Sequence, residues 1–210
     1  MRILLADDHA LVRRGIAHVL REDFPSLTIE EVGLAQMAIN LAVSAHWDIV
    51  VLDISLPDRD GLDALKEIKR AKPDVPVLML SLYPEGQYAR RALRAGASGY
   101  LTKDSAPEEL TIAIRRILRG GRYVSSALAE QLAADLSQPT ADRPGPERLS
   151  DRELEVLRLI GRGETPTQVA QRLGLSVKTV STYRTRLLEK LEMQTTADLI
   201  RFAVDEHLLD

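Results

Sequence analysis

The stretch Ile49–Gly61, IVVLDISLPDRDG, decides the fold of the first half of this 210-residue chain. Its apolar run, IVVL, predicts a strand that is buried on both faces, as in a parallel sheet. The strand ends on the carboxylate of Asp53, and Pro57 and Gly61 then predict a sharp turn. A second predicted strand, the apolar run ILLA, is also followed by acidic residues, Asp7 and Asp8. We expect the carboxyl ends of both strands to lie at one edge of a sheet, where doubly wound folds bind ligands.

Composition limits the class of protein before any other motif is considered. Hydrophobic residues make up 45% of the chain and charged residues 28%, with a net charge of −3, which is typical of a globular protein. The absence of cysteine excludes disulfides, thiolate nucleophiles and cysteine-ligated metals. No apolar run reaches the ~18 residues of a membrane span, and the N-terminus lacks a signal-peptide pattern. We therefore expect a soluble, cytoplasmic protein with no membrane partner.

Residues 1–121 alternate short apolar runs with helical patterns. Five such units in series predict an α/β fold, with a doubly wound five-stranded parallel sheet and helices on both of its faces. The strand candidates are Ile3–Ala6, Thr28–Val32, Ile49–Leu52, Val77–Leu80 and Gly99–Leu101, and the helical patterns cover roughly 10–22, 35–45, 60–71, 86–95 and 107–119.

A change of pattern marks a second domain at 148–210. The sequence LSQPTADRPGPERLS (136–150) is rich in proline and charge, so residues 122–147 are predicted to be a linker, with a short helix at about 126–136. Beyond it, four helix signals without a strand pattern predict a small all-α domain. The predicted helix starts are the capping boxes Ser150-x-x-Glu153 and Thr165-x-x-Gln168, the latter with Pro166 next in the chain, and the N-caps Ser176 and Thr195.

The residues that end the strands suggest a chemistry. Three carboxylates at one edge would repel one another unless a cation holds them, and Mg²⁺ is the natural candidate for oxygen ligands. A lysine and a hydroxyl nearby could neutralise and hydrogen-bond a phosphoryl group, which would make Asp53 a nucleophile that forms an aspartyl phosphate. Acids that merely begin loops or cap helices would explain any one of these residues. The whole set, which occurs in order along the strand ends, favours a site for a cation and a phosphoryl group. Its members are Asp7, Asp8, Asp53, Ser81 and Lys103.

The stretch TPTQVAQRLGLSVKTVSTYRTRLLEKL (165–191) predicts a helix-turn-helix, since Gly174 permits a tight turn and Ser176 can cap a second helix. Apolar residues fall on one side of that second helix, and its opposite side would enter the major groove of DNA. The alternative is that the charged residues of these two helices only face solvent and that the helix pair does not bind DNA. The candidates for reading bases are Lys178, Ser181, Thr182 and Thr185, and the further candidate DNA contacts are Thr179, Arg186, Lys190 and Arg184, whose stem is expected to lie along the core.

Four motifs of the first half resemble the receiver domain of bacterial two-component response regulators: LLADDHALVRRGI, VVLDISLPDRDGLDALKEI, VLMLS and RALRAGASGYLTKDSAPEEL. The resemblance implies a flavodoxin-like fold in which Asp53 is the phosphoacceptor. The Mg²⁺ ligands that it implies are Asp7, Asp8, Asp53 and the backbone carbonyl of Ser55.

The same resemblance implies roles for three further residues. Ser81 and Lys103 would contact the phosphoryl oxygens, and Tyr100 would be the aromatic whose rotamer follows the state of Ser81. A half-buried aromatic on an edge strand is equally consistent with the sequence around Tyr100. His9 follows the acidic pair, but the histidines show no metal-ligand spacing, so we expect it to be a loop residue.

Residues 148–210 resemble the LuxR-type helix-turn-helix domain, and the order of the two domains is that of the NarL/FixJ family. The resemblance implies a DNA-binding transcription factor that a sensor histidine kinase switches by Mg²⁺-dependent phosphorylation of Asp53. An active homodimer would bind promoter half-sites of double-stranded DNA. The last predicted helix (195–207) could supply a dimer contact or simply pack on its own domain, and its apolar residues are Leu199, Ile200, Ala203 and Val204.

Two other classes of function stay open on the sequence. Phosphohydrolases also combine an aspartate nucleophile, Mg²⁺ and a lysine, although no substrate-binding insertion interrupts the predicted sheet here. An atypical regulator that binds DNA constitutively would use the first domain only as a docking surface. We expect no enzyme beyond self-limited phosphotransfer to Asp53 and slow autodephosphorylation.

Overall fold

The computed structural model describes residues 1–82, 85–137, 145–206 and 208–209. The chain divides into two compact units, Met1–Pro139 and Thr140–Asp210. Part of the predicted linker (138–144) and residue 207 of the predicted last helix lie outside the described residues. Among the described residues, none of the helices has the length and apolar composition needed to cross a membrane.

A parallel five-stranded sheet forms the centre of the first unit, in the order β2-β1-β3-β4-β5. Every neighbouring pair is parallel, so all carboxyl ends meet at one edge, and β1 and β3 deliver their ends side by side. The predicted doubly wound sheet is confirmed. The strands are β1 (Arg2–Ala6), β2 (Thr28–Val32), β3 (Ile49–Asp53), β4 (Val77–Ser81) and β5 (Gly99–Thr102).

Helices cover both faces of this sheet, and strands β3 and β4 are therefore buried along their whole length. One face packs on α1 and α5, in a core that includes Ile3, Val51 and Leu80. The helices of the first unit are α1 (Ala10–Asp23), α2 (Ala35–Ser44), α3 (Gly61–Ala71), α4 (Glu85–Arg94), α5 (Ala106–Leu118) and α6 (Ser126–Ser137).

The first unit continues beyond the predicted domain limit at residue 121. Tyr123 forms a parallel bridge with Gly99. Its backbone N–H donates to the carbonyl of Ser98 (2.9 Å), and its carbonyl accepts from the N–H of Tyr100 (3.2 Å). Its side chain also belongs to the core between the sheet and α5. Residues just after α5 therefore add to the edge of β5, which the loss of βα alternation in the sequence does not reveal.

The second unit consists of helices that begin at well-defined caps. The predicted capping boxes Ser150–Glu153 and Thr165–Gln168 are present, and Thr195 forms a third with Asp198. Gly174 ends the second of these helices with a left-handed φ of 63°, which favours glycine. The helices are α7 (Asp151–Gly161), α8 (Pro166–Leu173), α9 (Val177–Lys190) and α10 (Thr196–Asp205), and a 3₁₀ turn at Pro146–Arg148 precedes them.

Candidate functional site

Two buried carboxylates stand at the carboxyl edge of the sheet, because β1 ends before Asp7 and β3 ends at Asp53. Both residues are 0% exposed. Each is oriented by a backbone N–H two residues further on: His9 N donates to Asp7 Oδ1 at 2.8 Å, and Ser55 N donates to Asp53 Oδ1 at 3.1 Å. The chain therefore aims both acids into the same small region and holds their side chains in place.

Lys103 brings the counter-charge from the loop after β5. Its backbone N–H donates to the carbonyl of Ser81 at 2.7 Å, which ties this loop to the end of β4. Its Nζ lies 2.7 Å from Asp53 Oδ2 and 2.8 Å from Asp7 Oδ2, and the side chain is almost fully buried. One ammonium group thus bridges the two carboxylates.

The pKa values of Asp53 and Lys103 are both raised, but for different reasons. Burial raises the pKa of Asp53 above its ordinary value of 3.8 and, together with the charge of Asp7, outweighs the lowering effects of Lys103 and the Ser55 N–H. Burial alone would lower the pKa of Lys103, but the hydrogen bonds and charges of Asp53 and Asp7 outweigh it and raise that pKa. The lysine is consequently a permanent cation at the site.

The acidic edge fits a hard divalent cation. Ligand atoms of Asp7, Asp8, His9 and Asp53 all lie within 4.8 Å of one another. The two buried carboxylates share Lys103, and Asp8 adds a third carboxylate whose side chain is 33% exposed. Negative charge thus exceeds positive charge within this cluster, and oxygen-rich sites of this kind suit Mg²⁺.

The remaining predicted site residues lie around the acids. Ser55 is half-buried in the turn after β3, and Ser81 and Tyr100 are fully buried. Strand alternation puts Ser81 and Tyr100 on the face of the sheet opposite Leu80 and Leu101, which contact α1 and α5. Tyr100 is therefore not the half-buried edge aromatic that the sequence also allowed.

Two residues that sequence reasoning missed support the loops of the site. Arg13 Nη1 donates to the backbone carbonyl of Asp7 at 2.5 Å, which holds the acidic loop against the first turn of α1. Asp58, in the turn after β3, accepts from the N–H groups of Ala35 (2.7 Å) and Gln36 (2.9 Å) and so caps α2. Those N–H bonds lower the pKa of Asp58 although burial opposes them. No local pattern signals a cap that comes from more than twenty residues away.

The helix of the second unit that the sequence predicts to contact DNA is α9, and most of its candidate contacts lie on one open face. Val180, Leu187 and Leu191 are buried. The hydroxyls of the exposed residues donate to carbonyls four residues earlier, at 3.0 Å for Ser181, 3.0 Å for Thr182 and 3.2 Å for Thr185. The exposed candidates on this face are Lys178, Ser181, Thr182, Thr185 and Arg186.

Three other predicted DNA contacts are engaged within the domain. Thr179 lies 2.7 Å from the hydroxyl of the cap Ser176, and Arg184 Nε donates to Thr196 Oγ1 at 2.7 Å. Lys190 Nζ lies 2.7 Å from Oε2 of the buried Glu153, an oxygen that also accepts from the Ser150 N–H. Arg184 thus joins α9 to α10 and Lys190 joins it to α7, whereas Thr179 bonds only to the cap residue of α9 itself.

The predicted dimer helix α10 uses part of its apolar face inside its own domain. Leu199 and Ala203 are buried, and α10 packs on α7. Ile200 is half-buried and Val204 is 51% exposed. The intradomain packing accounts for Leu199 and Ala203 and leaves Val204 on the surface.

Comparison with known proteins gives the same division of the chain. A family model described as the response regulator receiver domain matches residues 3–115, and one described as bacterial regulatory proteins of the luxR family matches residues 147–203. The response regulator UvrY of Escherichia coli K12 is 34% identical over 97% of this chain and 94% of its own. The response regulator GacA of Pseudomonas aeruginosa is 33% identical over 100% of this chain and 98% of its own.

Solved structures of response regulators are also similar to this chain. RcsB of Salmonella enterica serovar Typhimurium, bound to promoter P1flhDC in the presence of the phosphomimetic BeF3⁻, has a TM-score of 0.60 and 26% identity, covering 96% of this chain and 97% of that one. A LuxR-family response regulator from Aurantimonas has a TM-score of 0.60 and 36% identity, covering 65% of this chain and 98% of that one. The chain therefore belongs to the NarL/FixJ family of bacterial two-component response regulators, DNA-binding transcription regulators with a receiver domain and a LuxR-type helix-turn-helix domain.

Proposed function

We propose that Asp53 accepts a phosphoryl group from a sensor histidine kinase and that this modification controls DNA binding by α9. The observation that carries the proposal is the position of Lys103 Nζ, 2.7 Å from Asp53 and 2.8 Å from Asp7 at the buried edge of the sheet. A buried acid with a bridging lysine at the ligand-binding edge of a doubly wound sheet is suited to phosphoryl chemistry.

Transfer to Asp53 requires one new bond and the loss of one old bond. A carboxylate oxygen of Asp53 attacks phosphorus, and the bond from phosphorus to the imidazole nitrogen of the kinase phosphohistidine breaks, with its electron pair left on that nitrogen. Lys103 supplies a positive charge to the phosphoryl oxygens, and the Ser81 hydroxyl donates a hydrogen bond to one of them. The raised pKa of Asp53 means that transfer slows at acidic pH, where its carboxylate is protonated.

Mg²⁺ is the cation that we expect at this edge. Asp7, Asp8, Asp53 and the carbonyl of Ser55 would hold it, and when bound it would neutralise negative charge on the phosphoryl group. Support comes from the ligand atoms within 4.8 Å of one another and from the excess of carboxylates over lysine in the cluster. His9 and Arg13 hold the backbone and side chain of Asp7 in the orientation that such a site needs.

The switch would pass through residues that share one face of the sheet. A phosphoryl group on Asp53 would draw Ser81 towards it, and Tyr100 would follow, which would alter the α4–β5–α5 or the α1–α5 surface. We propose that the altered surface favours a homodimer, whose two α9 helices read half-sites about one helical turn apart on double-stranded DNA. Val204 on α10 offers a further apolar contact for that dimer.

The hydroxyl geometry of α9 suggests how it reads bases. Ser181, Thr182 and Thr185 donate their protons to the helix backbone, so in this arrangement their oxygens face DNA as acceptors. Acceptors pair with the amino groups of adenine and cytosine in the major groove, and the threonine methyl groups suit the methyl group of thymine. Lys178 would reach a base edge in the same groove, and Arg186 would contact a phosphate.

Labelling with acetyl [³²P]phosphate and Mg²⁺ tests the phosphoacceptor. Wild-type protein is expected to take up at most one label, and Asp53→Ala none, while Asp63→Ala, which removes a half-exposed acid of α3, labels like wild type. Equal labelling of Asp53→Ala and wild type would refute the proposal. Sustained release of phosphate over many turnovers from a generic phosphate ester would favour a phosphohydrolase instead.

A further inference from the structure

His9 lies inside the acidic cluster although it occupies a helix cap. It is the N-cap residue of α1, a position that usually carries a side chain bonded to the first turn. Among the described residues, no hydrogen bond runs from the His9 side chain to that turn. Its Nδ1 instead lies 2.6 Å from Asp8 Oδ1 and 3.6 Å from Asp7 Oδ1. The imidazole is therefore directed at the carboxylates and not at the helix.

These distances fit neighbouring ligands of one metal ion. With bonds of about 2.1 Å in octahedral geometry, adjacent ligand atoms lie about 3 Å apart and opposite ones about 4.2 Å apart. The separations of His9 Nδ1 from the two carboxylate oxygens, 2.6 and 3.6 Å, bracket the first value. All four ligand atoms, including one from Asp53, lie within 4.8 Å of one another, a limit slightly above the second value. The His9 side chain is 50% exposed, so its ring can turn by the small amount required.

We propose that His9 is a nitrogen ligand to the cation held by Asp7, Asp8 and Asp53, so that this site binds first-row transition metals better than an all-oxygen site. Imidazole favours Mn²⁺, Co²⁺ and Ni²⁺ over Mg²⁺ in increasing order, whereas carboxylates and carbonyls suit Mg²⁺. The inference rests on the proposed function, because it takes the acidic cluster as the metal site of phosphotransfer. It adds a ligand that the expected oxygen set lacks.

A positioning role for His9 is the competing explanation. A separation of 2.6 Å is also that of an Nδ1–H hydrogen bond to Asp8, and such a bond would orient the carboxylate without placing nitrogen on the metal. The two arrangements differ in two measurable properties. Only direct ligation couples the nitrogen nucleus to the metal electrons, and only direct ligation changes the preference between metals.

The test uses the full chain, freed of metal with a chelator and loaded with Mn²⁺ at pH 8, where an ordinary imidazole is neutral. Pulsed electron paramagnetic resonance is expected to show ¹⁴N modulation from one imidazole in wild type and none in His9→Ala. The matched control is His46→Ala, which removes an exposed histidine after the end of α2 and should keep the signal. We also expect His9→Ala to weaken Ni²⁺ binding by about tenfold and Mg²⁺ binding by less than about twofold.

Each outcome decides the matter. The ¹⁴N signal together with a lost Ni²⁺ preference in His9→Ala supports ligation. A wild-type spectrum without ¹⁴N modulation overturns it, as does equal weakening of Ni²⁺ and Mg²⁺ in His9→Ala, which would mean that His9 only orients Asp8. Both of these results leave the phosphoacceptor proposal intact. Failure of wild type to bind Mn²⁺ or Mg²⁺ at all would contradict both proposals.

Discussion

Gly61 contacts the backbone of Asp53 so closely that no side chain fits between them. A Cβ at Gly61 would lie 2.1 Å from the carbonyl oxygen of Asp53 and 2.7 Å from the Cα of Ile54. The Gly61 N–H donates to the Ile54 carbonyl at 2.8 Å, and Asp60 caps α3 by accepting from the Leu62 N–H at 2.7 Å. The turn after β3 therefore folds back onto the strand end and fixes the backbone that carries the acid.

Substitution of Gly61 by alanine should displace Asp53. The added methyl group cannot be accommodated without moving the backbone of β3, so we expect Gly61→Ala to lower the free energy of unfolding by about 1–3 kcal/mol and to slow labelling of Asp53. Urea unfolding followed by the fluorescence of Trp47, which is buried in the same unit, measures the change. Gly15→Ala is the control, because a Cβ there meets nothing within 4 Å and should be neutral or stabilising. Equal stability of the two variants would contradict the account.

The charge of Asp53 should cost stability at neutral pH. Its pKa in the folded protein lies above the ordinary 3.8, mainly because it is buried, so the folded state binds its proton more tightly than the unfolded state does. That contribution to stability is complete below pH 3.8 and is lost as pH rises through the higher folded value. We therefore expect Asp53→Asn, measured without divalent cations, to be more stable than wild type at pH 7 and to lose that advantage as pH falls towards 3.8. An Asp53→Asn variant less stable than wild type at pH 7 would be the opposite result.

Glu153 should control how firmly α9 is held. This buried carboxylate accepts from the Ser150 N–H and from Lys190, both at 2.7 Å. Burial alone would raise its pKa, but these partners outweigh it and lower the pKa below the ordinary 4.5. Its stabilising contribution is therefore present above pH 4.5 and is lost as pH falls through the lower folded value.

We expect Glu153→Gln to destabilise the second unit by about 1–3 kcal/mol at pH 7, because the bond from Lys190 loses its charged acceptor. Hydrogen exchange followed by mass spectrometry on peptides from α7 and α9 measures the effect. Glu189→Gln, which removes an exposed acid of α9, should leave the exchange unchanged. Exchange that is as slow in Glu153→Gln as in wild type would show that the contact adds no stability.

Two basic residues of α9 should differ in their effect on DNA binding. Arg186 is exposed on the open face, whereas Lys190 is paired with Glu153. We expect Arg186→Ala to reduce the slope of log affinity against log salt concentration by about 1, as for one lost phosphate contact. Lys190→Ala should leave that slope nearly unchanged and accelerate exchange in α9. Titrations of one DNA fragment at several salt concentrations make the comparison, and identical slopes for the two variants would argue against the assigned roles.

The sequence predicted those parts of the fold that local patterns encode. The apolar runs gave the five strands to within one residue at each end, and the boxes at Ser150 and Thr165 marked the starts of α7 and α8. The alternation of strands and helices along the sequence predicted a parallel sheet, and it therefore also implied that Asp7 and Asp53 would meet at one edge. Local rules sufficed here because parallel strands bring their carboxyl ends together whatever the details of packing.

Contacts between distant residues could not be predicted in this way. Tyr123 completes the edge of β5 through backbone hydrogen bonds, which any residue can form, so its sequence carries no signal. The pairing of Lys190 with Glu153 joins residues 37 positions apart, so the sequence did not reveal that this predicted DNA contact also forms an ion pair within its own domain. His9 offered no metal-ligand spacing, since its partners come from the adjacent acidic pair and from β3. Such features depend on tertiary geometry.

The most direct test of the central claim is DNA binding with and without a phosphoryl mimic. A DNA fragment is first selected from genomic DNA with the purified protein, and its affinity is then measured with Mg²⁺ alone and with Mg²⁺ and beryllofluoride. We predict that beryllofluoride tightens binding by wild type about tenfold or more, a typical allosteric coupling, and leaves Asp53→Ala unchanged. Equal affinity of wild type under both conditions would contradict phosphorylation of Asp53 as the control of this DNA-binding protein.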